Sequence, residues 1–342
     1  MTEQTAAFTP ITGWDMMERL GVGYTFANTT EARAWPWEES KHIGWDTESA
    51  WGQPLIEQWH FQSIAVKGFD SYRMCVSWTP HMDDNYIIDK AWLDRIQQLV
   101  DWALDAGLKV ILNTHHEEEI YQAIRDNNYA EAKTRLTAIW SQVAERFRDY
   151  PETLVFETMN EANFLEHYGS DKGSWLGANA YEQNLLIDSV NKLNKDALDI
   201  IRKSGGYNDK RVVMLSVPGA QAWTIPFMNI PDDDLYIMLG AFGYQGAFIN
   251  DENIKIIQSL LDKDIGFVNK EDKPGGIHRD ESEDLLKYTE RHFGELAAMG
   301  IPSFWFGGCA SKEDETHSFL NRVTGEWVYQ SYLEALFAAY GR

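Results

Sequence analysis

The apolar positions of this chain fall into short runs separated by longer amphipathic stretches, and the alternation repeats along its length. Gly21 to Thr25, Ser71 to Ser77, Leu108 to Asn113, the run ending at Glu161, Arg211 to Ser216, Leu235 to Leu239, Ile265 to Asn269 and Ile301 to Phe306 read as strands, being rich in β-branched and aromatic residues. Between them Leu55 to Lys67, Asp89 to Ala106, Glu119 to Arg148 (one or two helices), Tyr181 to Lys203, Glu252 to Asp262, Ser282 to Met299 and Trp327 to Ala339 carry helical spacing. Gly107, Gly205-Gly206 and Gly300 supply stop signals. A long loop rich in Trp and acids runs from Asn28 to Pro54, and a short helical segment follows the fifth strand. Strand then helix, eight times, predicts an α/β fold with a parallel sheet closed as a (β/α)8 TIM barrel. No linker or composition break interrupts it, so residues 1–342 are expected to form a single domain.

Composition changes this picture little. The chain is 44% hydrophobic and 24% charged, as a globular protein is. Its formal net charge of −23 disfavours nucleic acid and anionic membranes as partners and suits a neutral substrate. Nothing approaches a membrane-spanning run, and nothing suggests an obligate partner, so a monomer is expected. Met1 to Thr9 is polar and lacks the apolar core of a signal peptide. A secreted protein whose leader is not among these residues is favoured over a cytoplasmic one. Cys75 and Cys309 are too few for a disulfide framework and lack metal-ligand spacing. The 14 Trp could stack on sugar faces, although any one of them is more readily a packing residue.

The candidate chemistry gathers where strands end. Leu154-Val155-Phe156-Glu157-Thr158-Met159-Asn160-Glu161-Ala162 is an apolar strand that finishes in an amide followed by a carboxyl. In a parallel barrel that end of each strand faces the active site. A carboxylic acid there, beside an amide able to hold a sugar hydroxyl, suits hydrolysis of a glycosidic bond. The other strand ends contribute Arg73, His115, a carboxylate near position 271, and Trp305.

Five segments, taken in order, resemble glycoside hydrolase family 5, the retaining β-glycanases that include many endo-1,4-glucanases. They are Gly21 to Thr29, Phe69 to Trp78 with its arginine, Val110 to His116 with its histidines, Met159-Asn160-Glu161 with Ala162 in place of a proline, and Ile301 to Phe306 with its tryptophan. The resemblance implies that Glu161 is the general acid/base, that Asn160 holds the sugar 2-hydroxyl, and that Arg73 hydrogen-bonds the nucleophile and keeps it ionised. It favours His115 over His116 as the histidine facing the mouth, and makes Trp305 the floor of the cleavage subsite. For the nucleophile, Asp264 to Glu271 aligns without a gap and places Glu271; Asp264 is the rival.

Two departures from the family pattern stand out. Gly240 and Phe242 replace the sixth strand's His-x-Tyr, unless Tyr244 substitutes for the tyrosine, and Lys270 and Asp272 flank the nucleophile. The resemblance therefore implies a retaining β-glycoside hydrolase, endo-acting on a plant β-glucan such as cellulose, mixed-linkage glucan or xyloglucan. The alternative is a degenerate barrel that binds glycan without cutting it, and another linkage, such as that of a mannan, is a third reading. Trp35, Trp37, Trp51, Trp78, His81, His116, Trp175 and Trp223 are candidate sugar contacts. No cofactor is implied, since the reaction needs only carboxyls and water, and the partner expected is a β-linked oligo- or polysaccharide.

Overall fold

The computed structural model describes residues 8–33, 44–162, 180–243, 250–272, 283–307 and 318–342. Strands β1 (Val22–Phe26), β2 (Ser71–Met74), β3 (Lys109–Asn113), β4 (Leu154–Glu157), β5 (Val213–Ser216), β6 (Ile237–Phe242), β7 (Gly266–Asp272) and β8 (Ser303–Gly307) follow one another around a closed barrel. Every neighbouring pair is parallel, and β8 returns to pair with β1. The expected (β/α)8 TIM barrel is thus present. Around it run α1 (Gly13–Leu20), α2 (Gln58–Lys67), α3 (Lys90–Asp105), α4 (Glu118–Arg125), α5 (Tyr129–Arg146), α6 (Ala180–Lys203), α7 (Asp251–Leu261), α8 (Glu283–Ala298) and α9 (Gln330–Ala339). The stretch from Glu119 to Arg148 divides into two helices, α5 being capped by the Asn128 side chain. Among the described residues no helix is long and apolar enough to cross a membrane.

Alternation along the strands separates two cores. Val110, Leu112, Leu154, Phe156 and Val213 point outward and pack with the surrounding helices in one large cluster. Ile111, Val155, Met214, Met238, Val268 and Phe304 point inward and fill the barrel axis. The inner cluster is completed from below by Ile11, Met16 and Leu20. The last two belong to α1, a helix the sequence reading did not foresee. Thr12 caps it by accepting the Asp15 N–H at 3.0 Å. Gly13 lets α1 lie against the start of β6: a Cβ there would stand 1.8 Å from the Ile237 carbonyl oxygen.

β6 and β7 extend three residues beyond their predicted ends, and β7 is irregular. Ala241 and Phe242, consecutive on β6, pair with Asn269 and Glu271, so Lys270 is one residue too many. The same excess shows against β8, where Asn269 pairs with Ser303 and Asp272 with Trp305. This is a β-bulge, a device that re-aims side chains next to active sites.

Candidate active site

Two residues beyond Val155 and Val268, on the same inward face, stand Glu157 and Lys270. Arg73 of β2 faces them. Its Nε and Nη2 donate to the two oxygens of Glu157 at 2.6 and 2.7 Å, a bidentate pair. Nη1 donates to Glu271 Oε1 at 2.5 Å, and Nη2 also reaches Asn160 Oδ1 at 2.7 Å. Lys270 Nζ donates to Glu157 Oε1 at 2.8 Å and to the Asn160 carbonyl at 2.7 Å. Two cations and two carboxylates, none more than 2% exposed, form a neutral quartet at the top of the inner core.

Burial alone would lower the Arg73 value, but Glu157, Cys75 and Glu271 hold it well above its ordinary range. Burial likewise works to raise the Glu157 carboxyl, yet Arg73 and then Lys270 carry it below the usual carboxylate value. For Lys270 burial dominates and pulls its ammonium below the ordinary lysine value, against the opposing pull of Glu157.

The bulge explains how consecutive residues reach one side of the sheet. Strict alternation would turn Glu271 away from Lys270, toward the helices. With one residue added, both side chains enter the barrel, and Asp272 takes the outward place instead. There Asp272 accepts from Asn269 Nδ2 at 2.6 Å and lies in close hydrogen-bond contact with His292 of α8.

At the end of β4 the backbone of Asn160 is held through its carbonyl by Lys270 and by Ser216 Oγ at 2.9 Å. Glu161, the next residue, is partly exposed at the mouth. Asn160 Nδ2 lies 3.1 Å from His115 Nε2, and that nitrogen lies 4.0 Å from Glu271 Oε1. Burial first, then His116, Arg73 and Lys270, push His115 well below the ordinary imidazole value, so the ring is neutral and can serve a hydroxyl group. His116 packs at right angles to it and beside Trp51; burial, with Arg33, lowers it to about 4.

Arg73, His115, Asn160 and Glu271 therefore converge, with Glu161 joined to the group by the chain. Other expected site residues lie elsewhere. Trp305 is 1% exposed and packs among Phe293 and Phe319 on the outer side of β8. The inward aromatic is Phe306, partly exposed and parallel to the His115 ring at 6.5 Å. Phe304 faces the axis, so alternation puts Trp305 out and Phe306 in; sequence matching to a tryptophan missed this by one place.

Trp78 is wholly buried, its indole N–H donating to the Asn113 carbonyl, and His81 stacks on Trp92 at 3.9 Å. Trp223 packs on the outer core. Asp264 is exposed in the turn before β7, at the opposite end of that strand from Glu271. Tyr244, Trp35, Trp37 and Trp175 lie outside the described residues.

The two cysteines lack metal-ligand spacing along the chain, yet Cys75 Sγ, a ring nitrogen of His115 and a Glu271 oxygen lie within 4.8 Å of one another. Arg73 Nη1 already stands 3.4 Å from that sulfur and 2.5 Å from that carboxylate, so a guanidinium holds the place a cation would take.

A closed parallel barrel whose mouth carries an arginine-held carboxylate, an amide and a second carboxyl is the architecture of an O-glycosyl hydrolase. The family model for cellulase, glycosyl hydrolase family 5, matches residues 34–311, and the chain belongs to that family. It is 30% identical to endoglucanase A of Ruminococcus albus over 95% of this chain and 92% of that one. It is 28% identical to the cellulase/esterase CelE of Acetivibrio thermocellus over 97% of its own length, but spans only 41% of that longer protein. Among solved structures, a GH5-4 broad-specificity endoglucanase from Clostridium longisporum superposes with a TM-score of 0.85, 25% identity, and coverage of 97% of this chain and 99% of that one. XEG5A, a xyloglucan-specific endo-β-1,4-glucanase from a metagenomic library, superposes with a TM-score of 0.81 at 28% identity, covering 95% of this chain and 98% of its own. That structure holds cellotriose.

Proposed function

We propose that the chain is a retaining endo-acting β-glucanase in which Glu271 is the nucleophile and Glu161 the acid/base. One observation carries this reading: a single guanidinium, Arg73, donates to Glu271 on β7 and to Asn160, the residue that precedes Glu161 beyond β4. Glu271 attacks the anomeric carbon, and the bond to the leaving oxygen breaks as Glu161 gives that oxygen its proton. Water then releases the glycosyl-enzyme, with Glu161 taking the proton back. Arg73 donates to Glu271 Oε1 at 2.5 Å and so fixes where that carboxyl points, as a nucleophile requires. The neutral His115 and the Asn160 amide are placed to hold sugar hydroxyls, and Phe306 offers an aromatic face.

Cello-oligosaccharide in one neighbour and the endoglucanase names of the relatives favour a soluble β-glucan, cellulosic or xyloglucan, as the substrate. The same relatives weigh against a barrel that binds without cutting. Glu161→Ala and Glu271→Ala are expected to lower hydrolysis of barley β-glucan or xyloglucan by about 10²–10⁴-fold or more, and the first-formed product is expected to keep the β-anomeric configuration by NMR. Wild-type rates in both variants would overturn the assignment.

A further inference from the structure

Lys270 is an unusual residue to find inside this barrel. Its side chain is fully buried at the level of the proposed catalytic pair, and its ammonium is shared between Glu157 and the carbonyl of Asn160. The site is shaped to receive it. A Cβ on Gly240 of β6 would stand 3.2 Å from Lys270 Cδ and 2.6 Å from Met214 Sδ, so the missing side chain is what admits the lysine stem. Phe242, two residues on, presents its ring 5.1 Å from the ammonium. Gly240 and Phe242 are the positions at which the sequence departs from the family's His-x-Tyr. The departure and the lysine are one exchange within the same space. The bulge completes the arrangement, because it points Lys270 and Glu271 into the barrel together.

Charge decides what the lysine does there. Arg73 gives two donors to Glu157 and one to Glu271. With Lys270 present the quartet is neutral. Without it, one guanidinium faces two buried carboxylates and its bidentate partner is Glu157 rather than Glu271. We propose that Lys270 is a positioning residue for glycoside cleavage: it balances Glu157 so that Arg73 can serve Glu271, and it anchors the turn that carries Glu161 by holding the Asn160 carbonyl. This rests on the reading of Glu161 and Glu271 as the catalytic pair. Among the described residues, the titratable groups coupled to the quartet include Cys75 just beyond β2, His115 beyond β3, Glu31 beyond β1 and Tyr121 of α4; each is common to all the variants below.

The test is the pH profile of kcat on a chromogenic cello-oligoside for Lys270→Met, Glu157→Gln and the double variant, with thermal melts as the check on folding. Lys270→Met leaves the quartet with an excess negative charge, which favours a protonated carboxyl. Its acid limb is expected to move up by about one pH unit, since a neighbouring charge shifts a carboxyl by one to three. Its kcat should fall by about tenfold or more, with a smaller change in KM. Glu157→Gln leaves an excess positive charge, and its acid limb should move down. The double variant restores neutrality, and its limb should return toward the wild type. A lysine that merely fills space predicts an unmoved limb in Lys270→Met and the same downward shift in Glu157→Gln and the double variant.

If Lys270→Met does not fold, the downward shift of Glu157→Gln and the return in the double variant carry the test. An unmoved limb in Lys270→Met, or a double variant whose limb does not return toward the wild type, overturns the proposal. Glu161→Ala and Glu271→Ala run alongside as controls. If both keep the wild-type rate, the catalytic assignment falls and takes this proposal with it. If both are inactive while the limbs stay fixed, only the role of Lys270 falls.

Discussion

Trp305 and Phe306 are adjacent on β8, yet one packs against Phe293 and Phe319 under the helices while the other lies parallel to His115 at the mouth. The two rings should fail in different assays. Phe306→Ala removes an aromatic face from the cleft and should lower kcat/KM on a cello-oligosaccharide by about tenfold, equivalent to about 1.4 kcal/mol of transition-state binding, with little change in melting temperature. Trp305→Ala empties a buried site and should cost about 3–5 kcal/mol of stability in a urea titration. A raised KM in a fully stable Trp305→Ala protein would show that the strand presents its faces the other way. At this scale the sequence was legible where a residue type is chemically forced. Asn160 and Glu161 stand out as an amide and a charge closing an apolar run, and Arg73 as a charge inside one. It was illegible where any aromatic satisfies the pattern, because only strand alternation separates cleft from core. Trp78 and His81 fall in the second class, for a buried indole bonded to a carbonyl looks in sequence like one that meets sugar.

Among the elements, the strands announced themselves because each is a short apolar run flanked by polar helix faces, and all eight were found within a few residues of their observed bounds. Helix α1 did not, being one short amphipathic turn pair without a strand before it. Its signals were Thr12 as cap and the spacing of Met16, Met17 and Leu20. Its fit is tight enough to test. Gly13→Ala would drive a methyl into the Ile237 carbonyl, 1.8 Å away, and lift the helix from the base of β6. We expect a loss of about 3 kcal/mol or more in the denaturant midpoint, at the upper end of overpacking costs. A wild-type midpoint would mean that α1 does not close the barrel as described. The bulge at Lys270 had no sequence signature at all. Gly-Phe-Val-Asn-Lys-Glu-Asp reads equally well as a regular strand, and only the pairing on both sides reveals the extra residue.

For the molecule as a whole, buried titratable groups set an expected dependence of stability on pH. Burial lowers His60, His81 and His116 to about 4, and lowers His115 well below the ordinary value. These four bind protons more readily when the chain unfolds, so each withdraws stability as pH falls below about 6.5. Burial raises Glu31 and Glu117 to about 7, and these two act in the opposite sense, adding stability as pH falls from 7 toward 4.5. The balance between about pH 6 and 5 is two protons in favour of the unfolded chain, a slope of about 2.7 kcal/mol per pH unit toward lower stability in acid. Urea midpoints at pH 6.5, 6 and 5 would read it, and a midpoint that rises on acidification would contradict the neutral buried histidines. A coat with a formal charge of −23 surrounds an ion quartet that sums to zero and is at most 2% exposed. Dissolved salt screens the coat, where Debye lengths of about 10 Å at 0.1 M apply, and does not penetrate to the quartet. The ionic strength of the medium thus governs how these molecules repel one another, while the field around the buried quartet stays an internal property of the barrel.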